Sequence, residues 1–226
     1  MSLIGARVSM MAGKRLPYDA EVEYIESTGT QYIDTGVVAS SAYKVEIRFT
    51  PYAYNGYATI IGARNGSDNN GGFQIRCGTN TSSGRRIFNG STNSTTIPFT
   101  FDSENTVQVV LGSRDVVVNG ASIRLSSAKT VTCGLTLPVF CLYKAQGTID
   151  GVTYSNCRLY SLQIYSSVST LVRNFQPVRV GSGANAVGCL YDKLGVGGMN
   201  PDGTARNDGI YFNRGTGAFG IGPDKN

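Results

Sequence analysis

From residue 20 onward, apolar and polar side chains repeat with a period of two. Val45, Ile47 and Phe49 alternate with Lys44, Glu46 and Arg48, the pattern of a strand with one face on a core and one in water. Short apolar runs at 58–62 and 73–77 predict two more strands. Between them Asn65-Gly66-Ser67-Asp68-Asn69-Asn70-Gly71-Gly72 is dense in residues that accept left-handed backbone, so it predicts a loop. Residues 106–111 and 115–119 predict strands joined at Gly112-Ser113, and Asn119-Gly120 then turns the chain into 121–125 as a tight hairpin. Residues 135–143, 157–165 and 171–180 supply three further strands. No segment carries a helical period of usual length. Short strands with turn signals every eight to twelve residues or so predict a single all-β sandwich or barrel.

Composition sharpens this picture. The 226 residues suit one large all-β domain, and 15% charged residues with 29 glycines and 13 tyrosines fit strands and turns better than amphipathic helices. Residues 1–19 differ from the rest, with Arg7, Lys14 and Arg15 set among small and apolar residues, Met10-Met11 in the middle and Pro17 near the end. They are expected to form an arm outside the sandwich that anchors a partner through Arg7, Met10, Met11, Lys14 and Arg15; a loose chain end is the plainer reading. The net charge of +5 is spread singly, and the densest pair, Arg85-Arg86, stands alone. Nucleic-acid binding would gather such charge on one stripe, so no nucleic acid is expected as a partner.

No apolar run approaches the roughly 20 residues of a membrane helix, and the first residues lack the order of a secretory signal. A protein of this kind acting outside a cell would leave by another route, such as inside an assembled particle. Five cysteines at irregular spacing give neither a C-x-x-C metal pair nor a disulfide framework, and are expected as buried small hydrophobes.

Three segments carry a family likeness. The first is Val22-Glu23-Tyr24-Ile25-Glu26-Ser27-Thr28-Gly29-Thr30-Gln31-Tyr32-Ile33-Asp34-Thr35-Gly36. The second is Arg158-Leu159-Tyr160-Ser161-Leu162-Gln163-Ile164-Tyr165, followed by Leu171-Val172-Arg173-Asn174-Phe175-Gln176-Pro177-Val178. The third is Gly188-Cys189-Leu190-Tyr191-Asp192-Lys193 with Tyr211-Phe212-Asn213-Arg214-Gly215-Thr216-Gly217. Their order resembles the laminin-G-like, concanavalin A-like domains of tailed phages, prophages and gut bacteria, over roughly residues 20–226. The resemblance implies a concanavalin A-like, two-sheet antiparallel jelly-roll sandwich.

Folding alone accounts for these segments. Tyr24-Ile25 and Tyr32-Ile33 are strand-like pairs flanking a Ser-Thr-Gly-Thr turn. Leu159, Ser161 and Gln163 alternate with Tyr160, Leu162 and Ile164, as in a strand between two sheets. Asn213, Gly215 and Gly217 allow a turn that tucks the terminus back on the sandwich.

One fold of this kind hosts lectins, glycosidases and structural modules, so chemistry must come from a site. The resemblance, the absence of an export signal and the distinct arm together give an expected role as a non-enzymatic, virion-associated decoration protein. It would assemble in the host cytoplasm, attach to a capsid, tail or fibre protein, and self-associate as a dimer or trimer. The alternative is an adhesin for host-surface glycans, on a virion or a bacterial surface.

The chain has no histidine, which removes Ser-His-Asp, Cys-His and His-metal chemistry. Glu21-Val22-Glu23-Tyr24-Ile25-Glu26 is similar to the E-x-D-x-x-E strand of laminarinase-type glycosidases, where two carboxyl groups about 5 Å apart perform retaining hydrolysis. Here the middle acid is Glu23, the segment opens the domain, and the chain has no tryptophan to stack a sugar, so no catalytic residues are expected. Gly195-Val196-Gly197-Gly198 does not lie between a strand and a helix, and gives no phosphate cradle. Asp68, Asp192, Asp202 and Asp208 carry oxygens suited to calcium but are equally ordinary in turns; no metal or cofactor is expected. For carbohydrate, Tyr52, Tyr54 and Tyr57 offer flat faces, while Arg64, Asn65, Asp68, Asn69 and Asn70 offer hydrogen bonds to hydroxyls. Core tyrosines beside an ordinary Asn-rich turn are the competing reading.

Overall fold

The computed structural model describes residues 16–52, 56–66, 69–78, 85–151, 153–166 and 169–225. Strands β1 (Ala20–Glu21), β2 (Ile25–Thr28), β3 (Ile33–Val38) and β4 (Tyr43–Pro51) come first. They are followed by β5 (Thr59–Ala63), β6 (Phe73–Cys77), β7 (Arg85–Asn89) and β8 (Thr95–Thr96). Next come β9 (Asn105–Val110), β10 (Asp115–Val118), β11 (Ala121–Arg124), β12 (Thr136–Val139), β13 (Tyr143–Ala145) and β14 (Thr148–Ile149). The chain closes with the long pair β15 (Asn156–Ser166) and β16 (Thr170–Val180), then β17 (Val187–Asp192), β18 (Ile210–Tyr211) and β19 (Gly220–Ile221).

These strands build two sheets. The larger runs β11-β10-β9-β4-β15-β16-β17-β18, with β1 added on β16 and β2 joining β15 to β19. The smaller runs β14-β13-β5-β6-β7-β8, with β12 bridging β3 and β5. Among the described residues every ladder between named strands is antiparallel except that of β5 with β13, at Ala63 and Tyr143. The inner faces meet in one core, where Val45, Ile47 and Phe49 of β4 and Val107 of β9 join Ile61, Phe73 and Ile75 of the smaller sheet. The expected all-β, two-sheet jelly-roll sandwich is the architecture found.

Local chemistry explains the crossings. Gly29, at φ 101°, turns the chain from β2 in the larger sheet to β3 in the smaller, while Gln31 Oε1 accepts the Thr28 N–H over 2.9 Å. Asn119 and Gly120, at φ 50° and 81°, make the expected hairpin turn. Asn213 Oδ1 accepts the N–H groups of Tyr32 (3.0 Å) and Gly215 (2.8 Å), so the C-terminal loop folds back as expected.

Two strand expectations need correction. The segment 135–143 is not one strand: Phe140, at φ 71°, ends β12 and redirects the chain into β13. The apolar run hides this break because Phe140 is itself buried, against Phe219. Within β15 the alternation slips at Tyr160, where the register with β4 shifts between Leu159 and Ser161. That bulge puts Leu159, Leu162 and Ile164 all into the core, and β15 lies at the centre of the larger sheet with one face turned outward.

Of the expected arm, residues 16–19 are described: Tyr18 stacks on Tyr191 with ring centroids 4.9 Å apart, and the Asp19 N–H donates to the Arg179 carbonyl. Arg7, Met10, Met11, Lys14 and Arg15 lie outside the described residues.

Candidate binding site

The outward face of the smaller sheet carries a group of polar side chains. Phe73, Ile75 and Cys77 of β6 point into the core, so the alternate residues Gln74 and Arg76 point away from it. Their ladder partners are Gly62 and Thr59 on β5, and Phe88 and Arg86 on β7. Gln74 Nε2 donates to Thr59 Oγ1, and Arg86 donates to Ser94 Oγ over 2.9 Å.

The segment after β12 folds over this face as a wall. Leu142 lies above Gly62: a Cβ there would sit 2.7 Å from the Phe73 carbonyl oxygen and 3.1 Å from Leu142 Cδ1, so the close approach requires glycine. The Leu142 N–H donates to Thr153 Oγ1 (3.1 Å), and the Asp150 N–H returns to the Leu142 carbonyl (2.9 Å). Tyr57, 57% exposed, is the opposite wall. Between them lies a cavity of about 250 Å³ lined by Tyr57, Arg64, Arg76, Leu142, Asp150 and Thr153.

Charge in the cavity is unbalanced. Arg64 is ion-paired with Asp150. Arg76 lies against two rings, 5.1 Å from the Tyr57 centroid and 4.9 Å from that of Phe88. Among the described residues neither Arg76 nor Arg86 has an ion pair, and the Nε of each is buried without a hydrogen-bond partner. Burial first, and then the Arg86 charge across the ladder, lower the pKa of Arg76 from its ordinary value.

Of the residues expected to bind carbohydrate, Tyr57 and Arg64 line this cavity. Tyr52 does not: it lies beneath the Arg158 guanidinium (5.6 Å), which also covers Tyr24, on the outward face of the larger sheet. A one-strand change of sheet between β4 and β5 separates two tyrosines that are close in sequence. Asn69 belongs to the turn whose Gly71 is bonded to Gly90 and Thr132, and neither it nor Asn65 and Asn70 is among the lining residues. Tyr54 and Asp68 lie outside the described residues. Arg76, Arg86 and Asp150 escaped the sequence reading. Gln74 and Arg76 do interrupt an apolar run with period two, a signal that this strand has a polar face, and the Arg85-Arg86 pair opens β7.

The acids of residues 21–26 are not gathered on one strand, since β1 ends at Glu21 and β2 begins at Ile25. Glu26 is ion-paired with Arg158 (2.6 Å) and Glu21 with Lys193 (3.3 Å), while Glu23 lines a separate cavity with Arg48, Glu104, Tyr160 and Lys225. Asp192 is buried and accepts the N–H groups of Asn174 and Leu194, Asp208 pairs with Arg206, and Asp202 holds Thr204 in a turn. Among the described residues no three His, Cys, Asp or Glu side chains are grouped as metal ligands. All five cysteines are buried and unpaired, as expected.

No protein-family model matches this chain, and no curated protein matches it. Among solved structures the chain is similar to a native heptameric SAP-like pentraxin from Limulus polyphemus, with a TM-score of 0.41 and 16% identity over 70% of this chain and 75% of that one.

Proposed function

We propose that this chain is a non-enzymatic carbohydrate-binding module whose site is the cavity between Tyr57 and Leu142. The observation that carries this reading is an exposed aromatic face standing over a small polar cavity. Tyr57 can stack on the C–H face of a sugar ring, while Arg64, Asp150 and Thr153 supply donors and acceptors for its hydroxyls. The volume of about 250 Å³ falls just below the ~300–1,000 Å³ of drug-sized pockets and suits a single ring. The separate engagement of Glu21 and Glu26 by Lys193 and Arg158 supports binding without turnover.

A glycan array followed by calorimetry tests this. Wild-type protein should bind at least one glycan, and Tyr57→Ala should weaken that binding about tenfold or more with an unchanged melting temperature. Silence across the array, with and without calcium, would remove the proposal.

The finer reading places the module on a phage particle, attached to a capsid, tail or fibre protein by its N-terminal residues. It is supported by the sequence resemblance over residues 20–226 and by the distinct composition of the first residues. Because Tyr18 and Asp19 are bonded to the sandwich, the discriminating truncation removes residues 1–15. It should leave folding and glycan binding intact and abolish attachment; undiminished attachment would overturn this role.

A further inference from the structure

We propose that the cavity selects an acidic sugar unit, one bearing a carboxylate or a sulfate, and that Arg76 and Arg86 receive the anionic group. This rests on the carbohydrate reading of the same cavity and names its ligand class.

The argument starts from charge. Arg64, just after β5, and Arg76 of β6 line the cavity, and Arg86 of β7 stands beside it, directly opposite Arg76 in the ladder. Like charges directly opposite in a sheet are destabilising, and of the described residues only Asp150 supplies a carboxylate to the cavity. That carboxylate is engaged by Arg64. The other two guanidiniums keep buried Nε–H donors with no acceptor, an arrangement that costs free energy until an acceptor arrives.

Orientation points the same way. The rings of Tyr57 and Phe88 both lie against the Arg76 guanidinium, contacts that restrain its fork before a ligand binds. A planar fork of this kind matches the two oxygens of a carboxylate or sulfate. Tyr57 is shared by the cation and the cavity wall, so a ring resting on Tyr57 would set its acidic substituent near Arg76. The small volume favours one acidic sugar over a polyanionic nucleic-acid strand.

The test uses the full chain and matched oligosaccharides differing only in the acidic group: lactose, sialyllactose and sulfated lactose, with cellobiose and its uronic-acid counterpart as a second backbone. The acidic members should bind at least tenfold tighter than their neutral parents, and the carboxylated and sulfated arms show which anion is preferred. Arg76→Gln and Arg86→Gln should each reduce acidic-glycan affinity by about 10- to 100-fold, a clearly larger loss than either causes for the neutral parents. Tyr57→Ala should weaken both. Near-UV circular dichroism checks folding; if Arg76→Gln is unfolded, Arg76→Lys, which keeps the charge and loses the fork, takes its place and should still lose most of the preference.

Equal binding of neutral and acidic members would overturn the inference and leave the carbohydrate module standing. So would an acidic preference that survives both arginine substitutions. Failure of every glycan removes the two together.

Discussion

The hydroxyl of Tyr143 donates to Oδ2 of Asp34 across 3.1 Å, between two strands of the smaller sheet that are not neighbours in sequence. The same carboxylate accepts Thr136 Oγ1 (2.9 Å) and the Gly36 N–H (3.0 Å), and faces Arg214 of the C-terminal loop at 3.6 Å. One buried acid therefore ties β3, β12, β13 and the returning terminus together. Asp34→Ala leaves several buried donors unmatched and should lower stability by about 2–4 kcal/mol. Urea denaturation should show a lower midpoint with the same slope; a wild-type midpoint would show that the cluster adds nothing.

Alkaline pH should unfold this protein unusually early. Burial pushes the Cys157 and Cys189 thiols up to about 12 and holds Cys77, Cys133 and Cys141 above their ordinary value. Burial, and then the Asp34 charge, raise Tyr143 likewise. In the unfolded chain a thiol ionises near ~8.5, so above that pH the native state holds more protons and stability falls as pH rises, by up to about 1.4 kcal/mol per thiol per pH unit. With no histidine in the chain, stability should be level between about pH 5.5 and 8. Melting curves across pH 5.5–11 check both halves, and a decline already evident at pH 7 would contradict the assignment.

Phe140 makes a separate prediction because its backbone and its ring pull in opposite directions. Its φ of 71° disfavours any side chain, yet its ring fills the core against Phe219. Phe140→Ala should cost about 3–5 kcal/mol from the cavity it leaves. Phe140→Gly, which adopts positive φ freely, should be more stable than Phe140→Ala by about 1 kcal/mol. The reverse order in chemical denaturation would show that strain at this turn is negligible.

Gly62 links packing to the site. An added methyl would strike the Phe73 carbonyl and the Leu142 side chain. Gly62→Ala should lose about 1–3 kcal/mol and displace the Leu142 wall, so glycan affinity should fall along with stability. Gly120→Ala is the control: its Cβ would meet nothing within 4 Å, its φ of 81° gives local strain alone, and glycan affinity should not change.

The acids of residues 21–26 predict an absence of turnover. Wild-type protein incubated with β-glucans should release no reducing ends, and Glu21→Gln should leave glycan affinity unaltered. Hydrolysis that disappears in Glu21→Gln would restore the glycosidase reading and displace the binding module.

Much of the sandwich was legible in the chain because each strand sees the same two environments. A core on one side and water on the other impose a period of two, which marks β4 and β9; the Asn119-Gly120 pair marks a hairpin because few residues accept its backbone. Periodicity names the face of a strand and never its neighbour. The break at Phe140 and the slip at Tyr160 arise from the strands that β12 and β15 must pair with, so only tertiary packing fixes them. The cavity follows the same rule. That Arg76 points outward is written in the Phe73-Gln74-Ile75-Arg76-Cys77 alternation, whereas its meeting with Arg86 and Tyr57, and the parting of Tyr52 from Tyr57, depend on how β5, β6 and β7 align. Burial of apolar side chains is a local property of each residue; the convergence of charges is a property of the register, which the whole core decides.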